Sequence, residues 1–307
     1  MKHPKKLLAT GHRGFVGTAF REFLQSHSDA PAAWCPLTHE SDLLDPAQLR
    51  AMLAEHQPDW VVHLAAQSHV PNSWSDPART LQVNVCGTAN LLNALSEARF
   101  RGRLLYVSSA DVYGSVQPAD LPVTEEAPLA PRSPYASSKV AGEVLCRQWA
   151  ATRELDVVVA RPFNHTGPGQ RPDFALPGFA REIAAIKLGR KEPQVLAGDL
   201  DVTRDFLDVR DVVNAYLALL AGGRSNDTYN VCSGSEVHLG DALRRLAALA
   251  GVQAVVAVDP ARFRPTEQRR VCGSHAKITA DTGWVPRIPL DETLQQLLDH
   301  WTRELDA

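Results

Sequence analysis

A regular alternation of short apolar runs and longer amphipathic stretches occupies the first half of this 307-residue chain. The short runs are apolar or β-branched and are bounded by turn residues, which is typical of buried strands. The longer stretches carry apolar residues at helical spacing, and most of them begin with proline. Repeats of strand, helix and strand form right-handed crossovers within one parallel sheet. We therefore predict an α/β fold built on a doubly wound parallel sheet.

The pattern also predicts where these elements begin and end. The predicted strands are Leu7 to Thr10, Ala32 to Leu37, Trp60 to Leu64, Arg103 to Ser108 and Val157 to Ala160. The predicted helices are Phe15 to His27, Pro46 to His56, Pro77 to Ala98 and Pro134 to Glu154. Because the strands are parallel, their carboxyl ends share one edge of the sheet, where doubly wound folds bind ligands.

The second half of the chain departs from this alternation. Pro162 to Asp173 and Gly189 to Arg204 are rich in glycine, proline and polar residues, and we predict long loops there. Helical patterns return at Leu176 to Leu188, Val209 to Leu220, Leu239 to Ala250 and Leu290 to Leu305, with one or two candidate strands, Thr228 to Val231 and Ala254 to Val258. We expect a smaller, mostly helical C-terminal domain.

Composition and charge exclude several classes of protein. The chain has 32 Lys and Arg against 35 Asp and Glu, a formal charge of −3, which argues against a nucleic-acid-binding protein. No apolar stretch is long enough to span a membrane. The five cysteines form no C-x-x-C pair, so neither a zinc site nor a disulfide framework is predicted. The basic start continues directly into the first strand, so we expect no removable signal and a cytoplasmic protein.

Three glycines follow the first predicted strand, in the order Gly11-His-Arg-Gly14-Phe-Val-Gly17. In a turn from strand to helix, such glycines permit a tight bend and let the backbone approach a pyrophosphate, whose charge then lies at a helix N-terminus. The motif alone is a weak signal, but here it opens the first unit of strand, helix and strand. It predicts a dinucleotide-binding sheet of the Rossmann type.

The end of the second predicted strand bears on which dinucleotide binds. An NAD site ordinarily places an acidic residue about 20 residues after the glycines, to hold the ribose 2′-hydroxyl. Here the sequence from Ala32 onward contains no acid before Glu40, whereas Arg13 within the turn could meet a 2′-phosphate. NADPH is therefore favoured, with NADH as the alternative. Asp42 and Leu43 follow at a position where such folds can hydrogen-bond the adenine edge.

A tyrosine and a lysine four residues apart, in Tyr135-Ala-Ser-Ser-Lys139, share one face of a predicted helix. The pKa of a free tyrosine is about 10, so tyrosine is a poor acid or base at neutral pH unless a nearby cation stabilises its phenolate. Lys139 provides that cation. Ser108 and Ser109 end the fourth predicted strand, where a hydroxyl can share the proton with Tyr135 and polarise a substrate carbonyl.

These motifs, in this order along the chain, resemble the extended short-chain dehydrogenase/reductase family of nucleotide-sugar enzymes over essentially the whole sequence. Ser109 stands before Ala-Asp-Val-Tyr-Gly114, as in that family. His63-Leu-Ala-Ala-Gln-Ser-His-Val70 and Arg264-Pro-Thr-Glu267 look like the GDP-mannose branch. Three further runs are similar to GDP-6-deoxy-4-keto-D-mannose reductases, the makers of GDP-D-rhamnose: Asp76-Pro-Ala-Arg-Thr-Leu-Gln-Val-Asn84, Arg161-Pro-Phe-Asn-His-Thr-Gly-Pro-Gly-Gln170 and Glu267-Gln-Arg-Arg-Val-Cys-Gly-Ser-His-Ala276.

The resemblance implies roles for the matching positions. The catalytic trio would be Ser109, Tyr135 and Lys139, with Tyr135 protonating the sugar oxygen while hydride reaches its carbon. Cofactor contacts would come from Gly11, Arg13, Gly14, Phe15, Val16, Gly17, Asp42, Leu43, Leu64, Ala65 and Ala66, together with Tyr135 and Lys139. Substrate contacts would come from Ser109, Asp111, Asn164, Arg204, Arg264 and Glu267, with the arginines on the diphosphate and Glu267 on the guanosine ribose.

The resemblance further implies an activity and a division of the chain. The activity is reduction of the 4-keto group of GDP-4-keto-6-deoxy-D-mannose by NADPH, giving GDP-D-rhamnose or its C4 epimer, GDP-6-deoxy-D-talose. A nucleotide-sugar 4,6-dehydratase or 4-epimerase that retains NAD(P) stays open as an alternative, as does a dinucleotide sensor, which would not need the trio. We expect residues 1–165 with part of 205–235 to bind the dinucleotide, and 166–204 with 236–307 to bind the substrate.

The sequence also bears on metal binding, on assembly and on the roles of two polar residues. No H-E-x-x-H or paired histidine and carboxylate spacing occurs, so no metal is predicted. The helices after Pro77 and Pro134 are apolar on more than one side, and relatives usually pair through them, so a homodimer is expected. His63, at the end of a buried strand, is expected to be structural. Asn84 is expected either to contact the active-site backbone or to bond within its own helix.

Overall fold

The computed structural model describes residues 4–27, 30–37, 41–259 and 268–307. Its strands are β1 (Lys5–Thr10), β2 (Ala32–Trp34), β3 (Trp60–His63), β4 (Arg103–Val107), β5 (Asp156–Pro162), β6 (Asn164–Thr166), β7 (Gln194–Ala197), β8 (Thr203–Asp208), β9 (Thr228–Val231), β10 (Glu236–His238) and β11 (Val255–Val258). Its helices are α1 (Phe15–Ser26), α2 (Pro46–His56), α3 (Val70–Ser75), α4 (Pro77–Leu81), α5 (Gly87–Glu97), α6 (Pro134–Arg153), α7 (Ala175–Lys187), α8 (Val209–Gly222), α9 (Leu239–Ala250), α10 (Ala276–Thr282) and α11 (Leu290–Asp306).

Six parallel strands form the central sheet, in the order β2-β1-β3-β4-β5-β9. Successive residues of a strand point to opposite faces, so each face receives its own core. Leu7 and Ala9 of β1 pack with α1 and α8 on one face, whereas Leu8 packs with α2, α5 and α6 on the other. The winding reverses between β1 and β3, and the carboxyl ends of these strands flank the crevice where such folds bind ligands. The predicted fold class is confirmed.

Local capping explains why the helix that carries the tyrosine and lysine begins where it does. Ser133 caps α6, and its hydroxyl accepts from the Ala136 amide at 3.1 Å. Pro134 follows at the first helical position, where its missing N–H costs no hydrogen bond. Tyr135 is therefore held in the first turn of the helix, and Lys139 lies one turn further along the same face.

One predicted helix is interrupted in the structure. The pattern from Pro77 to Ala98 predicted a continuous helix, but a π-helical turn at Gln82–Cys86 separates α4 from α5. A single wide turn adds little to the apolar spacing on either side, so the sequence pattern does not reveal it. Such turns occur frequently at functional sites.

The second half of the chain contains more strands than predicted. The stretches 162–173 and 189–204, predicted as loops, include β6, β7 and the start of β8, and β10 was also not predicted. Strands β10, β8 and β6 form one small sheet, and β11 pairs with β7. These strands are short and several are polar, so no apolar run marks them, and their partners lie far away in the sequence. Helices α7, α9 and α11 nevertheless supply most of the core of this region.

The described residues include neither a membrane-spanning helix nor a disulfide. No helix in the described ranges combines the length and apolar character needed to cross a membrane. All five cysteines lie in the described part of the chain and are free, and of these Cys86 is exposed while the other four are buried.

Candidate active site

The glycine turn joins β1 to α1 at the carboxyl edge of the sheet. Gly11 has φ +70°, and a Cβ there would lie 2.8 Å from the backbone of Ala65, just after β3. A Cβ on Gly17 would lie 2.5 Å from the Gly11 carbonyl oxygen, which also accepts from the Gly14 amide at 3.0 Å. Gly14 is the N-cap of α1 and has no side chain to cover the first turn of the helix. The start of α1 can therefore accommodate an anion.

Several predicted cofactor residues gather around this turn. Phe15 and Val16 are partly buried at the start of α1, and Arg13 is exposed beside them. Leu64, Ala65 and Ala66 are partly buried where β3 ends. Because a Cβ on Gly11 would contact Leu64 and Ala65, the turn and the β3 end are brought together.

Asp42 and Leu43 differ in their surroundings. Asp42 is exposed, and its Oδ1 accepts from the Leu44 amide at 2.9 Å. Leu43 is buried, and its side chain packs against Gly87 at the start of α5. The Asn90 side chain donates to the Leu43 carbonyl at 2.9 Å. Of the two predicted adenine contacts, only Asp42 has a side chain near solvent.

His63 connects the strand end to neighbouring elements. Its Nδ1 lies 2.7 Å from the Thr10 hydroxyl, and its Nε2 lies 3.0 Å from the Thr88 hydroxyl. Thr88 donates to the Asn84 carbonyl, so we infer that Nε2 carries the proton and that Nδ1 accepts from Thr10. Burial, reinforced by the charge of Lys139, lowers the pKa of His63 to about 3. This histidine is neutral and structural, as predicted.

Ser109, Tyr135 and Lys139 come together beyond the carboxyl end of β4. The Ser109 side chain lies close enough to the Tyr135 phenol to lower its pKa. Lys139 Nζ lies 5.9 Å from the centroid of the Tyr135 ring and donates to the Val107 carbonyl at 2.8 Å. Ser109 also caps the 3-10 helix Ala110–Tyr113, accepting from the Asp111 amide at 3.2 Å. The structure therefore brings the predicted trio into contact.

Burial sets the protonation of the trio. Burial raises the pKa of the Tyr135 phenol above its ordinary value, and the charge of exposed Asp111 acts in the same direction, while the polar side chain of Ser109 opposes both. Burial also lowers the pKa of Lys139 to about 8. At neutral pH the phenol is protonated and the lysine is charged, so Tyr135 is poised as an acid.

Asn84 fixes the helix of the trio against the loop that follows β3. In the π-helical turn, its Oδ1 accepts from the Gln67 amide at 2.8 Å, and its Nδ2 donates to the Gln67 carbonyl at 3.1 Å. The same amide group donates to the Ser138 hydroxyl at 2.9 Å, and Ser138 donates to the Tyr135 carbonyl at 2.6 Å. Of the two roles left open for Asn84, the structure supports contact with the active-site backbone.

A buried ion pair that was not predicted lies next to the trio. Glu143, one turn after Lys139 on α6, accepts from Arg161 Nε at 2.9 Å and Nη2 at 2.7 Å, and from Ser108 Oγ at 2.6 Å. The Glu143 side chain is 0% exposed and that of Arg161 is 3% exposed. A signal was available, because Tyr135, Lys139 and Glu143 follow each other at four-residue spacing along one helix face.

Asn164 and Arg204, two of the predicted substrate residues, lie on different strands and not in one cluster like the trio. Asn164 is exposed at the start of β6, opposite Phe206 of β8. Arg204 lies on β8, and its Nη1 donates to the carbonyls of Thr203 at 2.6 Å and Gln268 at 2.9 Å. Arg264 and Glu267 lie outside the described residues.

A ring stack joins β6 to the glycine turn. The His165 ring lies parallel to that of Phe15, with 4° between the planes and 6.2 Å between the centroids. The His165 Nδ1 lies 3.0 Å from the Phe163 carbonyl, and burial lowers the pKa of the imidazole. The strand that carries Asn164 therefore starts beside the proposed cofactor turn. Within the described ranges, no group of three or more His, Cys, Asp or Glu residues could hold a metal ion.

Comparison with known proteins assigns the family. The model of the GDP-mannose 4,6-dehydratase family matches residues 36–297. The chain belongs to this family. A GDP-6-deoxy-D-mannose reductase from Pseudomonas aeruginosa is 48% identical over 97% of each chain. The structure of RMD from Pseudomonas aeruginosa complexed with NADPH has a TM-score of 0.94 and 46% identity, over 98% of this chain and 99% of that chain.

Sequence identity distinguishes the reductase from a dehydratase relative. A dTDP-glucose 4,6-dehydratase from Neisseria gonorrhoeae is 29% identical, over 99% of this chain and 98% of its own. The identity to the reductase is thus much higher than the identity to this dehydratase. The family resemblance deduced from the motifs is confirmed.

Proposed function

We propose that this protein uses NADPH to reduce the 4-keto group of GDP-4-keto-6-deoxy-D-mannose, giving GDP-D-rhamnose or its C4 epimer, GDP-6-deoxy-D-talose. The observation that carries the proposal is the contact of Ser109, Tyr135 and Lys139 in a chain 48% identical to a GDP-6-deoxy-D-mannose reductase. Ketone reduction needs a hydride and a proton, and these side chains can deliver the proton.

Tyr135 is the acid of the proposed reaction. Its raised pKa keeps the phenol protonated at neutral pH, so it can protonate the C4 oxygen as negative charge develops there. Ser109 lies beside the phenol and can donate to the same carbonyl oxygen. Lys139 then stabilises the phenolate that Tyr135 becomes, because its ammonium lies beside the ring in a site shielded from water.

The glycine turn fits a dinucleotide. Gly11, Gly14 and Gly17 would hold the pyrophosphate, with Phe15 and Val16 in the first turn of α1. The fit rests on the close backbone contacts of the turn, which leave no room for a Cβ at Gly11 or Gly17. Arg13 would meet the 2′-phosphate, Asp42 and Leu43 the adenine side, and Leu64, Ala65 and Ala66 the region after β3. When bound, NADPH supplies the hydride.

The substrate contacts proposed from the family are Ser109, Asp111, Asn164, Arg204, Arg264 and Glu267. Arg204 supports this assignment because its hydrogen bond to the Gln268 carbonyl holds the residue next to Glu267 against β8. An arginine fork can also donate in pairs to phosphate oxygens, which suits a nucleoside diphosphate. Asn164 is exposed at the adjoining strand and can contact the same ligand.

The alternative function is that of a 4,6-dehydratase, the activity named for the relative from Neisseria gonorrhoeae. Elimination of water from a sugar needs a base and an acid beyond the tyrosine relay. Asp111 can serve as a base, but its neighbour Ala110 can neither give nor take a proton.

Two parallel reactions test the proposal. One contains GDP-4-keto-6-deoxymannose with NADPH, and the other contains GDP-mannose with catalytic NADP. We expect rapid NADPH oxidation in the first and little loss of GDP-mannose in the second, and NMR of the product assigns the configuration at C4. A Tyr135→Phe sample is the matched control. Faster consumption of GDP-mannose would replace the reductase assignment with that of a dehydratase.

We also propose a homodimer formed through α4 and α6. These helices pack against each other and expose apolar side chains, Leu81 at 42% and Val144 at 55%. Sedimentation should give twice the 33.5 kDa of one chain, and Leu81→Glu with Val144→Glu should give the monomer mass. A monomeric wild type contradicts this interface. The cytoplasmic location and the absence of membrane and nucleic-acid partners stay predictions.

The division into two binding regions is likewise a proposal. Residues 1–165 with part of 205–235 would bind the dinucleotide, which is supported by β9 joining the central sheet at its edge. Residues 166–204 and 236–307 would bind the sugar nucleotide, supported by the separate core that α7, α9 and α11 build with β7.

A further inference from the structure

Glu143 joins three segments that carry the proposed chemistry. Its Oε1 accepts from Ser108 and Arg161, and its Oε2 accepts from Arg161 and, at 3.2 Å, from Arg147. Ser108 immediately precedes the proposed catalytic serine at the end of β4. Arg161 lies near the end of β5, shortly before the proposed substrate strand β6. Glu143 itself lies on α6, one turn beyond Lys139.

We propose that Glu143 is a positioning residue for the reduction. By binding Ser108 and Arg161 at once, its carboxylate fixes helix α6 against the carboxyl ends of β4 and β5, and so holds Tyr135 in contact with Ser109. This inference rests on the proposed function for the reaction, but it does not depend on which C4 epimer is formed.

The ion pair belongs to a fully connected network. Arg161 Nη1 donates to the Tyr113 hydroxyl at 3.0 Å, and Tyr113 donates to Asn230 Oδ1 at 2.6 Å. Asn230 Nδ2 donates to the Val123 carbonyl at 3.0 Å. A buried ion pair is a weak source of stability, because packed apolar side chains of similar size often serve as well. A network in which every member is bonded does rigidify its surroundings, and this one borders the trio.

Glu143 also acts on the charge of Lys139. The titratable groups that face Lys139 are Tyr106 of β4, His63 of β3, and Tyr135, Glu143 and Cys146 of its own helix. The phenols and the thiol are neutral because burial raises each pKa, and His63 is neutral because burial lowers its pKa. Glu143 is thus the negative charge that favours the ammonium form of Lys139.

Three variants separate positioning from mere structural support. Ser108→Ala cuts one hydroxyl link to Glu143 and keeps the ion pair. Glu143→Gln removes the negative charge and keeps the size of the side chain. Arg147→Ala is the matched control, because Arg147 reaches the same carboxylate from a side chain that is 42% exposed. For each variant, kcat and KM for the 4-keto sugar are measured across pH, together with NADPH affinity and the melting temperature.

Positioning predicts a specific set of results. In Ser108→Ala, kcat falls about tenfold with KM and NADPH affinity nearly unchanged, because the reacting groups are displaced and not removed. In Glu143→Gln, kcat falls as well, and its alkaline limb moves to lower pH because Lys139 loses its proton more readily. Arg147→Ala leaves kcat and the pH profile as in the wild type. Folded Ser108→Ala and Glu143→Gln proteins with wild-type kcat and pH profile overturn the proposal.

A measurement that needs no substrate keeps the test independent of the proposed function. Titration of Lys139 by NMR of ¹³Cε-labelled lysine should give a pKa of about 8 in the wild type and a lower value in Glu143→Gln. If the wild type does not reduce the 4-keto sugar, the proposed function is wrong, and this titration alone decides about Glu143. An unchanged pKa of Lys139 overturns the role. If Glu143→Gln does not fold, Ser108→Ala decides, and a folded Ser108→Ala protein with wild-type kcat overturns the proposal.

Discussion

Tyr135 and Lys139 lie in buried surroundings that several hydrogen bonds hold in place, whereas Asn164 and Arg204, proposed for the substrate, lie on strands β6 and β8 with exposed or partly exposed side chains. Tyr135 and Lys139 are buried, and Asn84 and Glu143 fix their helix from two directions. Asn164, by contrast, is exposed at the start of its short strand.

The difference in burial indicates which kinetic constant each region controls. Proton transfer requires reacting atoms held to within a fraction of an ångström, and buried helices and strand ends can supply such geometry. Substrate choice can be left to loops and short strands, which vary more easily without disturbing the sheet. If this comparison is right, changes in the first region should act mainly on kcat and changes in the second mainly on KM.

The largest expected effect comes from the buried region. Tyr135→Phe should lower kcat by about 10² to 10⁴, the usual contribution of a general acid, because the variant loses only the hydroxyl that donates the proton. NADPH affinity and the melting temperature should stay close to those of the wild type. Steady-state kinetics with the 4-keto sugar check the prediction, and turnover near the wild-type rate would mean that another group is the acid.

The substrate region should respond in KM. Arg204→Ala should raise KM for the sugar nucleotide by roughly tenfold to a hundredfold, the value of a charge-assisted hydrogen bond of about 1.5 to 3 kcal/mol. The fall in kcat should be smaller, because binding of ground state and transition state weakens equally. Arg245→Ala is the control, since Arg245 forms an exposed ion pair with Asp291 in the same region. A lower kcat at unchanged KM would place Arg204 in the reaction machinery.

How well the sequence predicted an element depended on whether the signals that define the element are local. Helix Pro46–His56, strand Thr228–Val231 and helix Leu239–Ala250 match their predicted bounds, because capping, apolar spacing and turn residues are local signals. Strand Asn164–Thr166 was missed, because it is short and polar and is defined by its pairing with β8.

In the candidate site, too, local signals in the sequence were predictive and long-range contacts were not. The glycine turn and the Tyr135 and Lys139 pair were predicted from short spacings within one segment, whereas Ser109 was predicted from its place at the end of a strand and from the family resemblance. Their contact in the structure agrees with that prediction. Glu143 was not predicted, because its partner Arg161 lies on another element and a charged residue in a helix is ordinarily expected at the surface.

Arg13 offers an intermediate case, because it is exposed but belongs to the rigid glycine turn. We expect the wild type to prefer NADPH over NADH, and Arg13→Ala to narrow that preference by about tenfold to a hundredfold through weaker NADPH binding. The affinity for NADH should change little, which provides the internal control. Fluorescence titration with both dinucleotides checks this. A wild type that prefers NADH would give Arg13 another role.

The smallest expected effect is on stability, and it again concerns the buried region. The pKa of His63 is about 3 in the folded protein, below the value of about 6.5 for an exposed histidine. Between these values the unfolded chain binds a proton that the folded protein excludes. The free energy of unfolding should therefore fall by about 1.4 kcal/mol for each pH unit as the pH drops below 6.5, a factor of about ten in the unfolding constant.

Urea unfolding at pH 6.5 and pH 5.0 measures this dependence. His63→Gln should lose most of it, and part should remain because burial also lowers the pKa of His165. His27→Gln, at an exposed position after α1, is the matched control and should keep the wild-type slope. Lys139 does not contribute in this pH range, because it is protonated in both states. If His63→Gln and the wild type lose equal stability between the two pH values, the His63 imidazole is protonated in the folded protein. Water would then reach His63 more readily than its buried position indicates.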